Sequence, residues 1–185
     1  NRDEIKKSIT AAENIFQGSI NILVNSAGIQ RRNSSEFFLE KDWDDVLEIN
    51  LTATFLYSQQ VAQKMLQNSY GKIINISSIM GNFGGITIPA YAASKGGVTQ
   101  LTKALSNDWA KKGICVNAIA PGSTATNLLG YKKGDSIYSD DNSECRMIMP
   151  EEVGNLTNLL LSDAGNMING EIIHISSGRG IYDIR

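Results

Sequence analysis

Apolar positions along this chain follow a helical period in some stretches and form short uninterrupted runs in others. Residues 3–16 show the helical period, and Gly18 marks the end of the predicted helix. Four apolar residues recur there at spacings of 4, 3 and 3: Ile5, Ile9, Ala12 and Ile15. The apolar run at 20–24 that follows is rich in β-branched residues, which predicts a buried strand.

The same order of helix and strand is repeated towards the C-terminus. Helices are predicted at 42–66, 89–112 and 150–161, and strands at 72–78, 114–119 and 170–176. The remaining segments are a glycine-rich loop at 81–85, a polar and weakly patterned stretch at 123–149, and a tail at 177–185. Strands separated by helices of roughly ten or more residues predict one α/β domain, 1–185, with a parallel sheet and helices on both faces.

Polar and turn-forming residues stand where three of the predicted strands end. Residues 25–28 follow the first strand, Ser77 and Ser78 end the second, and Pro121-Gly122 follows the third. The carboxyl ends of parallel strands share one edge of a sheet, and ligands bind beyond that edge. We therefore expect a ligand site there.

Tyr91 and Lys95 lie four residues apart near the start of the predicted helix 89–112. This spacing places both side chains on one face of a helix, one turn apart. A free phenol has a pKa of about 10, and a neighbouring ammonium favours the phenolate. We therefore expect Lys95 to lower the pKa of Tyr91 towards the range used in proton transfer. An isolated pair of this kind is more often a packed tyrosine with a solvated lysine, and the nearby strand ends favour the catalytic interpretation.

Composition excludes several classes of function. A net charge of −2 over 185 residues gives no field that attracts nucleic acid or an anionic membrane. No apolar run reaches the roughly 18 residues of a membrane span. With Cys115, Cys145 and His174 scattered along the chain, we expect no metal site. A reduced, cytoplasmic protein is the expectation.

Together these residues resemble the short-chain dehydrogenase/reductase family. The matching motifs are Asn25-Ser26-Ala27-Gly28, Asn50, Ser78, Tyr91-x-x-x-Lys95 and Pro121-Gly122. Ser78 stands thirteen residues before Tyr91, as in many members. In finer detail the chain is most similar to the branch of 2-deoxy-gluconate, 2-dehydro-3-deoxy-gluconate and gluconate 5-dehydrogenases. The residues that carry this finer likeness are 25–32, 42–46, 89–91 and 125–127.

The resemblance implies a Rossmann-type doubly wound fold and four catalytic residues. Tyr91 would donate a proton to the carbonyl oxygen of a ketone, and Ser78 would donate a hydrogen bond to the same oxygen. Lys95 would lower the pKa of the tyrosine and bind the nicotinamide ribose. Asn50 would hold a water for proton relay, or would be a solvated helix residue.

NAD or NADP is the implied cofactor, and the sequence shows no preference between them. The expected cofactor contacts are Asn25, Ala27, Gly28, Tyr91, Lys95, Pro121, Gly122, Thr124 and Thr126. Members of the family begin with a strand and a Thr-Gly-x-x-x-Gly-x-Gly turn, and the printed sequence contains neither. We therefore expect an incomplete domain that lacks the N-terminal β-α-β-α-β portion.

The function expected from the resemblance is interconversion of a secondary alcohol and a ketone, on a sugar acid or polyol. The geometry of a guanidinium suits a substrate carboxylate, so Arg31 is assigned to the substrate together with Ser78 and Tyr91. The alternative is that the adjacent Arg31 and Arg32 are both solvated surface residues. Two alternatives remain open: a reductase of 3-oxoacyl thioesters, and a catalytically silent relative that acts as a binding or structural subunit. A homodimer or homotetramer is expected.

Overall fold

The structure, a computed structural model, describes residues 2–138 and 146–176. Asn1, residues 139–145 with Cys145, and the predicted tail at 177–185 lie outside the described residues, so the proposed limits of the domain are described only in part. In the described ranges no helix is long and apolar enough to cross a membrane.

In the part of the chain that the structure describes, four parallel strands form the sheet, and their order in space is their order in sequence. The strands are β1 (Ile22–Asn25), β2 (Gly71–Ile76), β3 (Ile114–Pro121) and β4 (Ile172–Ile175). Asn25 is opposite Asn75 and Pro121 is opposite Ile175, so the carboxyl ends of the strands line up along one edge. This confirms the predicted parallel α/β fold.

Within residues 2–138 and 146–176, six helices accompany the strands. They are α1 (Arg2–Phe16), α2 (Glu40–Leu47), α3 (Ala53–Gln67), α4 (Met80–Phe83), α5 (Pro89–Trp109) and α6 (Pro150–Leu161). Single 3₁₀ turns occur at Ser35–Phe37, Ala110–Lys112, Asn127–Leu129 and Asp163–Gly165.

Helices cover both faces of the sheet because alternate strand residues point to opposite sides. Ile73 and Val116 pack in one apolar cluster with residues of α3 and α5. Ile74 and Ile119 pack in another with Leu160 of α6. The core therefore has two layers, one on each side of the central strands β2 and β3.

Two segments differ from the sequence-based expectation. The helix predicted at 42–66 begins earlier, at Glu40, and is divided by a π-helical turn, Glu48–Thr52. The loop predicted at 81–85 includes the short helix α4. A Cβ on Gly81 would lie 2.7 Å from the backbone carbon of Lys95, so α4 packs directly on the backbone of α5.

Gly113, in the turn before β3, lies close to the backbone of Ser69, and a substitution there tests this contact. Its φ of +86° is left-handed, and a Cβ there would lie within van der Waals overlap of the carbonyl oxygen of Ser69. We expect Gly113→Ala to lower the free energy of unfolding by about 3 kcal/mol or more, the sum of backbone strain and overpacking. Urea denaturation measures the loss.

Gly130 provides the matched control, with a φ of +79° and open space around the added Cβ. Gly130→Ala should therefore cost only about 1–2 kcal/mol, the backbone term alone. Equal losses for the two variants would contradict the close contact at Ser69.

Candidate active site

A cleft of about 1070 Å³ opens at the carboxyl edge of the sheet. This volume is at the upper end of the range for small-molecule sites, roughly 300–1,000 Å³. Eight of the residues expected from the sequence line it: Gly28, Ser78, Tyr91, Lys95, Pro121, Gly122, Thr124 and Thr126. Four others do not: Asn25, Ala27, Arg31 and Asn50.

Tyr91 lies in the first turn of α5, where Pro89 starts the helix, and only 8% of it is exposed. Burial raises the pKa of its phenol, and a side-chain hydrogen bond with Ser78 partly opposes that rise. The expected lowering of this pKa by Lys95 is therefore not found in the protein alone. Desolvation disfavours the phenolate, so Tyr91 is a protonated phenol at neutral pH.

Lys95 is 4% exposed, and its ammonium lies 5.7 Å from the centre of the Tyr91 ring. Nζ donates a hydrogen bond of 2.6 Å to the carbonyl oxygen of Ile76, at the end of β2. Burial lowers the pKa of Lys95 to about 8. The charged form still predominates at pH 7, with its cation directed towards the end of the strand.

Asn50 occupies the middle of the π-helical turn and is fully buried. Its Oδ1 accepts from the backbone N–H of Ile29 at 2.8 Å, and its Nδ2 donates to the Ile29 carbonyl oxygen at 2.9 Å. The backbone oxygen of Asn50 accepts from the Thr54 hydroxyl at 2.9 Å. Asn50 is therefore not a solvated helix residue, and its carboxamide holds the segment that leaves β1.

Asn25 turns its side chain away from the cleft and into the sheet. Its Nδ2 donates to Ser58 Oγ at 3.0 Å and to Asn75 Oδ1 at 2.9 Å. These bonds tie the end of β1 to β2 and α3. The Asn25 side chain is thus engaged in structural contacts, and its expected contact with the cofactor stays a prediction.

The segment after β3 presents its backbone to the cleft. Thr124 forms a parallel bridge with Ile148, and this bridge uses the carbonyl oxygen of Ser123 and the N–H of Ala125. The N–H of Thr124 itself is not part of the bridge. The Gly122 N–H donates to the Ile175 carbonyl oxygen at 2.9 Å, so it supports β4.

Arg31 and Arg32 point in different directions. Arg31 pairs with Asp42, with 3.5 Å between Nε and Oδ1, on the outside of the cleft. Arg32 lines the cleft together with Gln30. In the Gln30 amide orientation that satisfies both partners, Oε1 accepts from Arg32 Nε at 2.8 Å and from Nη2 at 3.0 Å.

A pattern in the sequence indicates that Arg32, rather than Arg31, lines the cleft. Ser26, Gly28, Gln30 and Arg32 all line the cleft, and they are alternate residues of one segment. Side chains of an extended chain alternate between two sides, so a cleft that includes Gly28 also includes Gln30 and Arg32. Arg31, which the sequence assigned to the substrate, does not line the cleft, and its role there stays a prediction.

Similarity to known proteins identifies the family of this chain. A model of the family described as short chain dehydrogenase matches residues 1–136. The chain belongs to the short-chain dehydrogenase family. This agrees with the resemblance expected from Ser78, Tyr91 and Lys95.

Individual relatives show which enzymes of the family this chain is similar to. A 2-dehydro-3-deoxy-D-gluconate 5-dehydrogenase of Dickeya dadantii is 41% identical over 166 residues, 87% of this chain and 66% of the relative. A 3-oxoacyl-(acyl-carrier-protein) reductase of Aquifex aeolicus is 36% identical over 181 residues, 95% of this chain and 71% of the relative. The chain spans about two thirds of the length of the curated relatives it matches.

A solved structure shares the fold closely. It is a gluconate 5-dehydrogenase of Burkholderia cenocepacia in complex with NADP and tartrate, with a TM-score of 0.87 and 35% identity. The alignment covers 96% of this chain and 71% of that one.

Lys95 gives a pH-dependent contribution to stability that can be measured. Its pKa is about 8 in the folded protein and 10.5 in an unconstrained lysine. Below pH 8 it is protonated in both states, and burial of the charge then opposes folding in full. Between about pH 8 and 10.5 the unfolded chain binds more protons here, so this contribution to the free energy of unfolding rises with pH by up to ~3 kcal/mol.

Lys95→Met isolates the effect, because the titration of the other groups cancels in the difference between the two proteins. The free energy of unfolding of the wild type minus that of the variant should increase from pH 7 to pH 10.5 in urea titrations. A difference that stays constant with pH would show that the pKa of Lys95 is not lowered.

Proposed function

We propose that the protein is a nicotinamide-dependent oxidoreductase that interconverts a secondary alcohol and a ketone on a sugar acid. The observation that carries the proposal is the meeting of Ser78, Tyr91 and Lys95 in one cleft at the carboxyl edge of the sheet. A buried phenol beside a serine hydroxyl and a buried ammonium is an arrangement for moving a proton to or from a substrate oxygen.

The cleft fits NAD or NADP in its chemistry. Among its lining residues in the described ranges there is no Asp or Glu, while Lys95 and Arg32 are basic. Such a lining favours anionic ligands. The hydroxyls of Thr124 and Thr126 and the backbone at Pro121-Gly122 would hold the cofactor on the β3 side, with Gly28 on the β1 side. A bound nicotinamide would supply or accept the hydride.

The protein would supply the proton. Tyr91 is protonated at neutral pH because burial raises its pKa, so it is ready to donate to a ketone oxygen during reduction. The Ser78 hydroxyl would stabilise the charge that develops on the same oxygen. In the oxidative direction the phenol must lose its proton, which the ammonium of Lys95 would favour.

Arg32 supports a substrate that carries a carboxylate. Its guanidinium is oriented by Gln30 at the cleft, and a planar fork of N–H donors suits a carboxylate. This arrangement favours a sugar acid over a 3-oxoacyl thioester, whose ketone carries no neighbouring carboxylate. The relatives named above include both kinds of enzyme, a 2-dehydro-3-deoxy-D-gluconate 5-dehydrogenase and a 3-oxoacyl-(acyl-carrier-protein) reductase.

A catalytically silent subunit is the remaining alternative, and the intact Ser78, Tyr91 and Lys95 argue against it. Titration of the protein expressed from its own gene with NADH and NADPH separates the two. Binding of either cofactor supports the oxidoreductase, and failure of both to bind would contradict it.

The remaining parts of the proposal follow from the family. We propose one Rossmann-type domain that includes residues 1–185, a homodimer or homotetramer, and a cytoplasmic location. A water held at Asn50 for proton relay to Lys95 is proposed on the same basis.

Tyr91→Phe tests the proton donor. The phenylalanine keeps the ring in the apolar cluster of Val46 and Ile88 but removes the hydroxyl. We expect turnover to fall by at least about 10²-fold, with cofactor affinity nearly unchanged, because general acid catalysis is lost. Steady-state kinetics and a fluorescence titration with NADPH measure the two effects. Retained turnover would remove Tyr91 from this role.

Arg32→Ala and Arg31→Ala form a matched pair for the substrate carboxylate. Loss of a charge-assisted hydrogen bond at the cleft should raise the KM for a keto-gluconate by about tenfold or more in Arg32→Ala. Arg31→Ala removes the exposed pair with Asp42 and an exposed hydrogen bond to the Gln30 carbonyl oxygen, and it should leave KM within about twofold. The reverse ranking would return the role to Arg31.

A further inference from the structure

Ser94 is fully buried in α5, between the two residues assigned to catalysis on that helix. Its hydroxyl donates to the carbonyl oxygen of Tyr91 at 2.8 Å. The Ser94 hydroxyl oxygen also accepts a hydrogen bond of 3.0 Å from Nδ2 of Asn50. Ser94 therefore joins the backbone of α5 at Tyr91 to a carboxamide in the π-helical turn.

The Asn50 carboxamide has only one arrangement that satisfies all of these partners. Its oxygen and one N–H pair with the N–H and carbonyl of Ile29, in the manner of a strand bridge. Its second N–H then faces Ser94. Each hydrogen of the amide has a partner, so loss of the Ser94 hydroxyl would leave a buried donor unpaired.

Gly28 lies directly before Ile29 and against two of the groups in the site. A Cβ built on Gly28 would lie 3.5 Å from Asn50 Oδ1 and 3.6 Å from Lys95 Nζ. The position of the Ile29 peptide thus determines how closely the cleft wall approaches the ammonium.

We propose that Ser94 is a positioning residue: it fixes the Asn50 carboxamide, and through it the Ile29 peptide, so that Gly28 keeps its place beside Lys95. This inference rests on the proposed function for its catalytic meaning, while the structural link itself is independent of that function. Ser94 does not line the cleft, so it acts only through its neighbours.

Thr102 makes the same pattern of bonds two turns further along α5. Its hydroxyl donates to the Val98 carbonyl oxygen at 2.8 Å and accepts from Asn75 Nδ2 at 2.9 Å. Thr102→Val and Ser94→Ala each remove one buried hydroxyl that serves a buried asparagine. Asn75, the partner of Thr102, bonds to Asn25 and not to Ile29, so Thr102→Val is the matched control.

Amide hydrogen exchange tests the link without reference to activity. In Ser94→Ala, the N–H of Ile29 should exchange at least about tenfold faster than in the wild type, after correction for the change in global stability from urea denaturation. In Thr102→Val the corrected rate should be unchanged. An unchanged rate in Ser94→Ala, or an equal rise in Thr102→Val, would overturn the proposal.

Kinetics test the catalytic consequence. We expect Ser94→Ala to lower kcat/KM for the cofactor by about tenfold to a hundredfold, because small displacements of reacting groups cost rates of this order. Ser94→Thr keeps the hydroxyl and should recover most of the loss. Equal kcat/KM in Ser94→Ala and the wild type would overturn the catalytic part. If the wild type itself turns over no keto-gluconate with NADH or NADPH, the proposed function fails, and the exchange experiment still decides the structural link.

A measurement on the wild type covers the case in which Ser94→Ala does not fold. Both side-chain N–H protons of Asn50 should be protected from exchange with solvent in nuclear magnetic resonance spectra, because Ile29 and Ser94 accept them. Rapid exchange of either proton would overturn the proposal.

Discussion

Helix α5 turns a stripe of polar side chains towards the sheet, and every hydrogen-bonding group on that stripe needs a partner in the interior. Ser94, Thr99 and Thr102 are buried there beside Tyr91 and Lys95. In the described part of the chain no buried side-chain nitrogen or oxygen lacks a hydrogen bond. An unpaired buried polar group costs about 1–3 kcal/mol, so these bonds restrict how α5 can lie on the sheet.

The polar residues of the stripe are bonded to two neighbouring segments, the π-helical turn and the strand β2 with the residue that follows it. Ser94 meets the π-helical turn, and Thr102 meets Asn75 in β2. Ser77, at the end of β2, donates to the carbonyl oxygen of Lys95 at 3.0 Å and lies 2.8 Å from the Thr99 hydroxyl. The axial position and rotation of α5 are therefore set by directional contacts as well as by apolar packing. Tyr91 and Lys95 take their places in the cleft as a consequence.

The fold could be predicted from the sequence because its signals are local and periodic. Uninterrupted apolar runs such as 114–119 belong to strands buried on both faces, and Pro89 and Pro150 start helices at the expected positions. The residues at the strand ends, Ser78 and Pro121-Gly122, were placed correctly for the same reason. Topology alone brings them to one edge.

Other features depend on contacts between distant segments, which no local pattern reveals. Asn50, in the π-helical turn, forms hydrogen bonds with Ile29 and Ser94. The helical period of 42–66 does not indicate this turn. The direction of the Asn25 side chain depends on Asn75, fifty residues away in sequence. The raised pKa of Tyr91 comes from burial, which the spacing to Lys95 could not show.

The position of Arg32 at the cleft follows in part from a local pattern and in part from the way the chain folds. The alternation of an extended chain distinguishes it from Arg31, because adjacent residues of such a chain lie on opposite sides. Arg32 and Tyr91 both line the cleft, and the proposed function assigns the guanidinium to a substrate carboxylate and the phenol to the ketone oxygen.

The central claim is that this cleft joins hydride transfer from a nicotinamide to proton transfer from the protein. The most direct measurement uses the protein expressed from its own gene, a keto-gluconate, and NADPH or NADH deuterated at the reactive C4 position. The account predicts one deuterium on the carbon that bears the new hydroxyl group, detected by nuclear magnetic resonance of the product. Absence of reduction with both cofactors, or a product whose new carbon-bound hydrogen comes from water, would contradict it.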